Sequence, residues 1–188
     1  MVNGWEVDER WAAPGRLEPV RRFLNTWELR AAGRDVVDRL PELATAPHSW
    51  QRLLTEVPLP APDEIRELQE LRAALRRTVD QPRVTEQILA SWFERHPIVA
   101  RVARNHSSSP VIRLEAADTR ACDHLLADVA AAINDKTWTR LRACLDCRLV
   151  FFDRSRNRSR RWCGMYAGSN GRSCGSIAKV QRWRDRHN

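Results

Sequence analysis

The chain has 188 residues, of which 43% are hydrophobic and 30% charged, and its formal net charge is +8. That length is enough for one domain with a buried core, or for one domain with a small appendage. No run of 18 apolar residues occurs, and the charged N-terminus lacks the apolar core of a secretion signal. We therefore expect a cytoplasmic protein that makes no membrane contact and keeps its cysteines reduced.

The positive charge is concentrated in the last quarter of the chain. Residues 1–135 contain 18 Arg and 21 acidic residues, whereas residues 136–188 contain 12 Arg, 2 Lys and only 3 Asp. Clustered arginines are typical of polyanion-binding surfaces, because the guanidinium group binds phosphate and guanine through two parallel hydrogen bonds. The change in composition predicts two domains, 1–135 and 136–188.

Hydrophobic periodicity predicts a mainly helical first domain that follows a peripheral lead-in at residues 1–15. The expected elements in chain order are a short strand or helix start at residues 20–24, a helix in two pieces over 35–57 broken by Pro41 and Pro47, helices over 63–80 and 85–96, a β-hairpin over 98–118 and a helix over 118–135. Their expected buried residues are Ile65, Leu68, Leu71 and Leu75 in one helix and Cys122, Leu125, Leu126, Val129 and Ile133 in the last.

Four cysteines in the second domain have the spacing of a metal site. Cys144, Cys147, Cys163 and Cys174 follow the pattern C-x2-C-x15-C-x10-C. A structural zinc ion requires four tetrahedral ligands, and C-x2-C lets one tight turn present two sulfur atoms. The x15 interval predicts a strand at 149–152, a turn at 153–158 and a return strand at 160–163. Cys174 would then lie in the first turn of a basic C-terminal helix over residues 176–187.

Two other interpretations of these cysteines stay open on spacing alone. They can be free buried thiols, or Cys144 and Cys147 can form a redox pair. A redox pair does not require Cys163 and Cys174, and it usually opens a helix after a strand, which this segment does not. We predict one structural Zn²⁺ bound by four thiolates, which leave no coordination position for a substrate water.

Basic side chains surround the predicted zinc site. Trp162 and Phe152 are expected to pack the small zinc core and leave the cations outside. The predicted nucleic-acid contacts are Arg154, Arg156, Arg158, Arg160, Arg161, Lys179 and Arg182. The alternative is a solvated charged face with no ligand.

The segment "RLRACLDCRLVFFDRSRNRSRRWCGM" and the later "CGSIAKVQRWR" resemble the CGNR zinc finger, a bacterial C-terminal module. Here the signature tetrapeptide reads Cys-Gly-Ser-Ile, and the interval before it is about six residues longer than usual. Upstream, "FLNTW", "ELQELRAALRRTV" and "WFERHP" resemble its usual partner, the ABATE-type N-terminal domain of stress-induced transcription regulators.

The resemblance implies zinc held by Cys144, Cys147, Cys163 and Cys174, and a stress-response role in DNA binding and transcription regulation, in a cytoplasmic, nucleoid-associated bacterial protein. We expect an α+β fold: a mainly helical N-terminal domain with a small β-hairpin, and a C-terminal zinc-binding β-hairpin-and-helix module. The partner would be double-stranded DNA, and the first domain would bind a small-molecule effector or form a homodimer.

Other functions stay open. An RNA-binding or protein-interaction zinc module is the main alternative, because a basic surface suits RNA equally well. An enzyme with an accessory finger is the other. The chain has no Ser-His-Asp or HExxH arrangement, no phosphate-binding glycine loop and only 7 Gly, so we predict that it is not an enzyme.

Overall fold

The computed structural model describes residues 11–29, 36–104, 108–164 and 174–176. These ranges form a mixed helix-and-sheet structure, as predicted. The helices are α1 (Leu17–Leu24), α2 (Leu40–Ala44), α3 (Pro47–Leu53), α4 (Ile65–Asp80), α5 (Thr85–Arg95) and α6 (Ala121–Asn134). The strands are β1 (Trp27–Leu29), β2 (Val36–Asp38), β3 (Ile98–Arg104), β4 (Pro110–Ala116), β5 (Leu141–Ala143) and β6 (Val150–Phe152).

The strands pair as three separate antiparallel hairpins, β1–β2, β3–β4 and β5–β6. The longest is β3–β4, in which Ile98 lies opposite Ala116 and Arg104 lies opposite Pro110. This hairpin confirms the prediction for residues 98–118. The β5–β6 hairpin is short and places Leu141 opposite Phe152.

Residues 20–24 belong to a helix rather than a strand. Glu18 forms ion pairs with Arg21 and Arg22, three and four positions further along the chain, which stabilises α1 along one side. The backbone N–H of Asn25 then donates to the carbonyls of Arg21 and Arg22 and ends the helix.

The two longest of the described helices, α4 and α6, supply much of the larger apolar core. Leu68, Leu71 and Leu75 of α4 are fully buried, which confirms the predicted face. Cys122, Leu125, Leu126 and Val129 of α6 are also fully buried. Ile133 was expected to be buried but is 39% exposed; it lies in the last turn of α6, which ends at Asn134.

The prediction for residues 35–57 is partly wrong. Residues 36–38 form β2 rather than a helix, and Val37 pairs with Glu28 of β1. Pro41 does not break a helix. It lies in the first turn of α2, where a missing N–H is tolerated, and Pro47 likewise begins α3.

Two apolar clusters meet at β6. Val150 and Phe152 belong to the large core with α1, α4 and α6, whereas Phe151 lies in a second cluster that contains Cys144, Cys163 and Cys174. Successive side chains of a strand point to opposite faces, so one strand serves both clusters. The division into domains 1–135 and 136–188 stays a prediction, and the large core includes residues from both sides of that boundary.

Among the described residues, no helix combines the length and the apolar composition needed to cross a bilayer.

Candidate metal centre

The four cysteines converge on one point. Their sulfur atoms all lie within 4.8 Å of one another. The Sγ atoms of Cys147 and Cys163 are 3.6 Å apart, and those of Cys163 and Cys174 are 3.7 Å apart. Tetrahedral zinc with Zn–S bonds of about 2.3 Å requires sulfur atoms about 3.8 Å apart, so the donor set fits a structural zinc ion.

The C-x2-C pair lies in the connection between β5 and β6. Cys144 directly follows β5, and its N–H donates to the carbonyl of Leu149 at 2.8 Å. The N–H of Arg148 donates back to the carbonyl of Cys144 at 3.0 Å, and Arg148 has a positive φ of 61°. The hairpin therefore closes around the two ligands and directs both sulfur atoms to the same side.

The predicted return strand at 160–163 is wrong. β6 pairs with β5, which precedes the first cysteine. Residues 160–163 have no strand structure. The carbonyl of Arg161 instead accepts the N–H of Leu145 at 3.1 Å, in the turn that carries Cys144 and Cys147, which we call the knuckle. The 15 residues between Cys147 and Cys163 thus return the chain to the metal site without forming a second pair of hydrogen-bonded strands.

The electrostatics of the cluster favour a bound dication. Hydrogen bonds from the thiols of Cys147, Cys163 and Cys174 lower the pKa of Cys144. The pKa of Cys163 is raised, because its thiol donates to Cys144 and its neighbours and because it is buried. The hydrogen bond with Cys144 and burial oppose ionisation of Cys147, but hydrogen bonds with Cys163 and Cys174 outweigh them and lower the pKa of Cys147 as well, whereas the pKa of Cys174 is raised. A divalent cation compensates the charge of all four thiolates.

Aromatic side chains enclose the sulfur atoms. Phe151 is fully buried in the cysteine cluster, and Trp162 and Trp11 pack against it. The expectation for Trp162 is confirmed. Phe152 was expected in this cluster but lies in the large core, because the alternation along β6 directs it to the other face.

Residues 11–13 are part of the site rather than a peripheral lead-in. The indole Nε1 of Trp11 donates to the carbonyl of Cys163 at 3.1 Å, and the carbonyl of Trp11 accepts the N–H of Phe152 at 3.1 Å. The Arg154 guanidinium donates to the carbonyl of Ala12 at 3.0 Å. The lead-in was predicted over residues 1–15, of which 1–10 lie outside the described residues.

A buried carboxylate fixes the arginine-rich turn. Both oxygens of Asp153 accept backbone N–H groups, from Ser155 at 2.8 Å and from Arg160 at 3.0 Å. Burial opposes ionisation of Asp153, but these hydrogen bonds, with a further one from Ser155, outweigh it and lower the pKa of the carboxyl. The turn over residues 153–160 therefore has a defined backbone.

The predicted nucleic-acid residues divide into two groups. Arg154, Arg156, Arg158 and Arg161 are exposed. Arg160 is half-buried: its guanidinium lies over the Phe151 ring and donates to the carbonyls of Trp162, at 2.9 Å, and Cys163. Lys179 and Arg182 lie outside the described residues, as does the predicted basic helix beyond residue 176.

Sequence reasoning missed the contact between the "FLNTW" segment and β6. The buried Asn25 side chain donates to the carbonyl of Val150 and accepts its N–H, both at 2.8 Å. Arg76 of α4 joins the same junction, donating to the carbonyls of Leu24 and Arg148 at 2.7 Å. The sequence does contain a signal for this contact. Asn25 lies among apolar residues in "FLNTW", and a buried side-chain amide requires hydrogen-bond partners.

Cys122 is separate from the site. It is fully buried in α6, and burial raises the pKa of its thiol to about 12, with the carboxylates of Glu67 and Glu64 adding to the effect. It is therefore a core thiol, as predicted, and an inert one.

The four thiolates converge from the knuckle between β5 and β6 and from two segments that follow it. They define a structural zinc site of the zinc-finger class. Comparison with protein families specifies it further: residues 140–187 match the family model described as the CGNR zinc finger. The match covers the C-terminal quarter of the chain, and it identifies this segment as a CGNR zinc finger that binds one structural zinc ion. The resemblance of the upstream region to the ABATE-type domain stays a prediction. A search of the curated proteins finds no match.

Cys174→Ser is expected to reduce the zinc content from one ion per chain to well below one after dialysis against a weak chelator. Cys174 is 5% exposed, and its sulfur lies 3.7 Å from that of Cys163, so its loss removes one of four ligands. Metal content is measured by atomic emission. The matched control is Cys122→Ser, which should retain one zinc. Full zinc retention in Cys174→Ser would show that the altered Cys-Gly-Ser-Ile closure is not part of the site.

Proposed function

We propose that the protein is a zinc-dependent, DNA-binding transcription regulator whose zinc finger contacts duplex DNA. The observation that carries the proposal is the exposure of Arg154, Arg156, Arg158 and Arg161 on a turn whose backbone is fixed by Asp153 beside the metal site. Four exposed cations within eight residues, with no acidic side chain among residues 154–161, suit a polyanion.

Rigidity supports this function. Asp153 and Arg160 fix the turn, and the zinc site holds both of its ends, so binding costs less conformational entropy than it would for a free arginine-rich tail. The guanidinium groups can bind phosphates from a preset arrangement. We assign these contacts to phosphate positioning, which gives affinity but does not by itself select a sequence.

The N-terminal elements would serve as the regulatory part. Asn25 and Arg76 connect α1 and α4 directly to β6 and the knuckle. A change at α1 or α4, caused by an effector or by dimerisation, would therefore reach the arginine turn through hydrogen bonds already in place. This role implies a nucleoid-associated protein in the cytoplasm.

The triple variant Arg154→Gln, Arg156→Gln, Arg158→Gln tests the proposal. Each lost phosphate contact should lower the slope of log K against log salt by about 0.9, so the triple variant should lose a slope of about 2.7. Binding of the full zinc-loaded chain to a labelled duplex is measured by fluorescence anisotropy at several salt concentrations.

The control is a triple variant of equal charge change on exposed arginines of other elements, Arg66→Gln, Arg77→Gln, Arg83→Gln. It should retain the wild-type slope. Absent or salt-independent duplex binding by the zinc-loaded wild type would overturn the proposal. Competition with a structured RNA separates the two polyanions: RNA that displaces the duplex at a tenfold lower concentration would assign the finger to RNA.

A further inference from the structure

The β3–β4 hairpin exposes both faces of its outer half. Val102 and Ile112 lie opposite each other and are 75% and 65% exposed, the two highest exposures among the large apolar side chains of the described residues. On the other face Arg101 lies opposite Arg113, and both are exposed. A typical hairpin of a small domain covers one face with core.

Among the described residues, the base of the hairpin packs against the rest of the molecule, and farther out Ala103 and Val111 are half-buried. Ile98 contacts the large core, and Leu114 and Ala116 are half-buried. The Arg16 guanidinium also donates to the carbonyl of Leu114 at 2.8 Å. Beyond Ala100, which is already exposed, the strands project as a two-stranded ribbon. Such ribbons are marginally stable alone, so the projecting part adds little to the stability of the fold.

The charges on the ribbon are unfavourable for the fold. Arg101 and Arg113 form a directly opposed like-charge pair, which destabilises a sheet. Glu115 is the single acidic residue of the two strands, and it forms an exposed ion pair with Arg101 at 3.0 Å. With Arg104 near the tip, the strands carry three Arg against one Glu. These arginines weaken the hairpin and yet are concentrated on a part of the molecule that projects from it. A negatively charged ligand bound there would explain both features.

We propose that the β3–β4 ribbon is a second DNA-contacting element, which enters a groove of the duplex whose backbone the arginine turn binds. This proposal rests on the proposed DNA-binding function. The major groove, about 12 Å wide, admits a two-stranded ribbon. Val102 and Ile112, on one face of the ribbon, offer apolar contact to thymine methyl groups, and Arg101 and Arg113, on the other face, reach phosphates along the groove.

Charge favours duplex DNA over a second copy of the chain as the occupant. Two ribbons packed through the face of Val102 and Ile112 would bring Arg104 of the two copies together, with no acidic residue of the strands on that face. Packing through the other face would oppose Arg101 and Arg113 of the two copies, with one Glu in each copy to offset them. A duplex supplies negative charge along the whole ribbon. Self-association through this hairpin is therefore an outcome that the test must detect.

The test is the double variant Arg101→Gln, Arg113→Gln, in the full zinc-loaded chain. Removing the like-charge pair should leave the melting temperature at or above that of the wild type, so that loss of binding is not unfolding. The variant should bind the duplex about tenfold more weakly, with a salt slope lower by about 1.8 if both side chains contact phosphate. The matched control, Arg77→Gln with Arg83→Gln, should bind as the wild type does.

Val102→Ser with Ile112→Ser provides a second measurement. It should weaken duplex binding while leaving the salt slope unchanged, since it removes apolar contacts only. If the wild type binds DNA and the arginine-turn variant loses binding, but both ribbon variants bind normally, this inference is wrong while the proposed function stands. If the serine variant converts a dimer to a monomer in light scattering, the ribbon is an interface between copies and the inference is overturned. If the wild type binds no duplex, both proposals are wrong.

Discussion

Removing zinc is expected to unfold the larger core together with the cysteine cluster, in one transition. β6 contributes Val150 and Phe152 to that core and Phe151 to the metal cluster, so the strand cannot loosen on one face alone. Structural zinc contributes on the order of 10 kcal/mol, which is comparable to the whole stability of a typical domain. We therefore expect the melting transition of the holoprotein to be lost or to fall by tens of degrees.

Differential scanning calorimetry with excess EDTA measures this effect, and amide hydrogen exchange shows where it occurs. Protection in α1 and α4 should fall along with protection in β6. Zinc-saturated EDTA is the control and should change nothing, and added zinc should restore the transition. Protection of α1 and α4 that survives metal removal would show that the helices fold without the finger.

Asn25→Ala is expected to lower the free energy of unfolding by roughly 2–5 kcal/mol. The substitution removes two buried hydrogen bonds and leaves the N–H and the carbonyl of Val150 without their amide partner. The remaining donor to that carbonyl, Arg21, lies 3.4 Å away. An unsatisfied buried backbone group costs about 1–3 kcal/mol. The N–H of Val150 becomes such a group, and its carbonyl keeps only the long bond from Arg21. Urea unfolding followed by circular dichroism measures the change.

Asn134→Ala is the matched control for this substitution. Asn134 is exposed at the end of α6 and its side chain contacts only Asp135 among the bonds described. The same chemical change there should alter stability by less than about 0.5 kcal/mol. A loss that small for Asn25→Ala would mean that the amide junction does not hold β6 in place.

The zinc ligands could be predicted from the sequence because their chemistry is local and rare. Reduced cysteines at C-x2-C have few alternatives, and Cys163 and Cys174 complete a tetrahedral set. The buried faces of α4 and α6 could be predicted equally well, because the helical periodicity of apolar residues indicates which side of a helix is buried. Ile133 shows where that rule ends: periodicity gives the direction of a side chain but not how far the neighbouring elements extend.

The contacts between distant segments could not be predicted in this way. The partner of β6 is β5 rather than the expected segment at 160–163, because three-residue strands carry too little pattern to specify pairing. Trp11 and Asn25 lie 152 and 125 positions from their partners, Cys163 and Val150, and no local spacing connects them. In the sequence, Arg160 resembles its exposed neighbours, and its contacts with Phe151, Trp162 and Cys163 distinguish it from them.

The bond from Trp11 to Cys163 also bears on the order of events during synthesis. At roughly 5–20 residues per second, a ribosome needs about 8–30 seconds to travel from the first of these residues to the second. Until β6 emerges, the amide of Asn25 has no strand to bind, and α1, α4 and α6 lack one wall of their core. Contacts this far apart in sequence are slow to form. The nascent helices would therefore wait, partly uncovered, for the last quarter of the chain, and metal capture would be among the final steps of maturation.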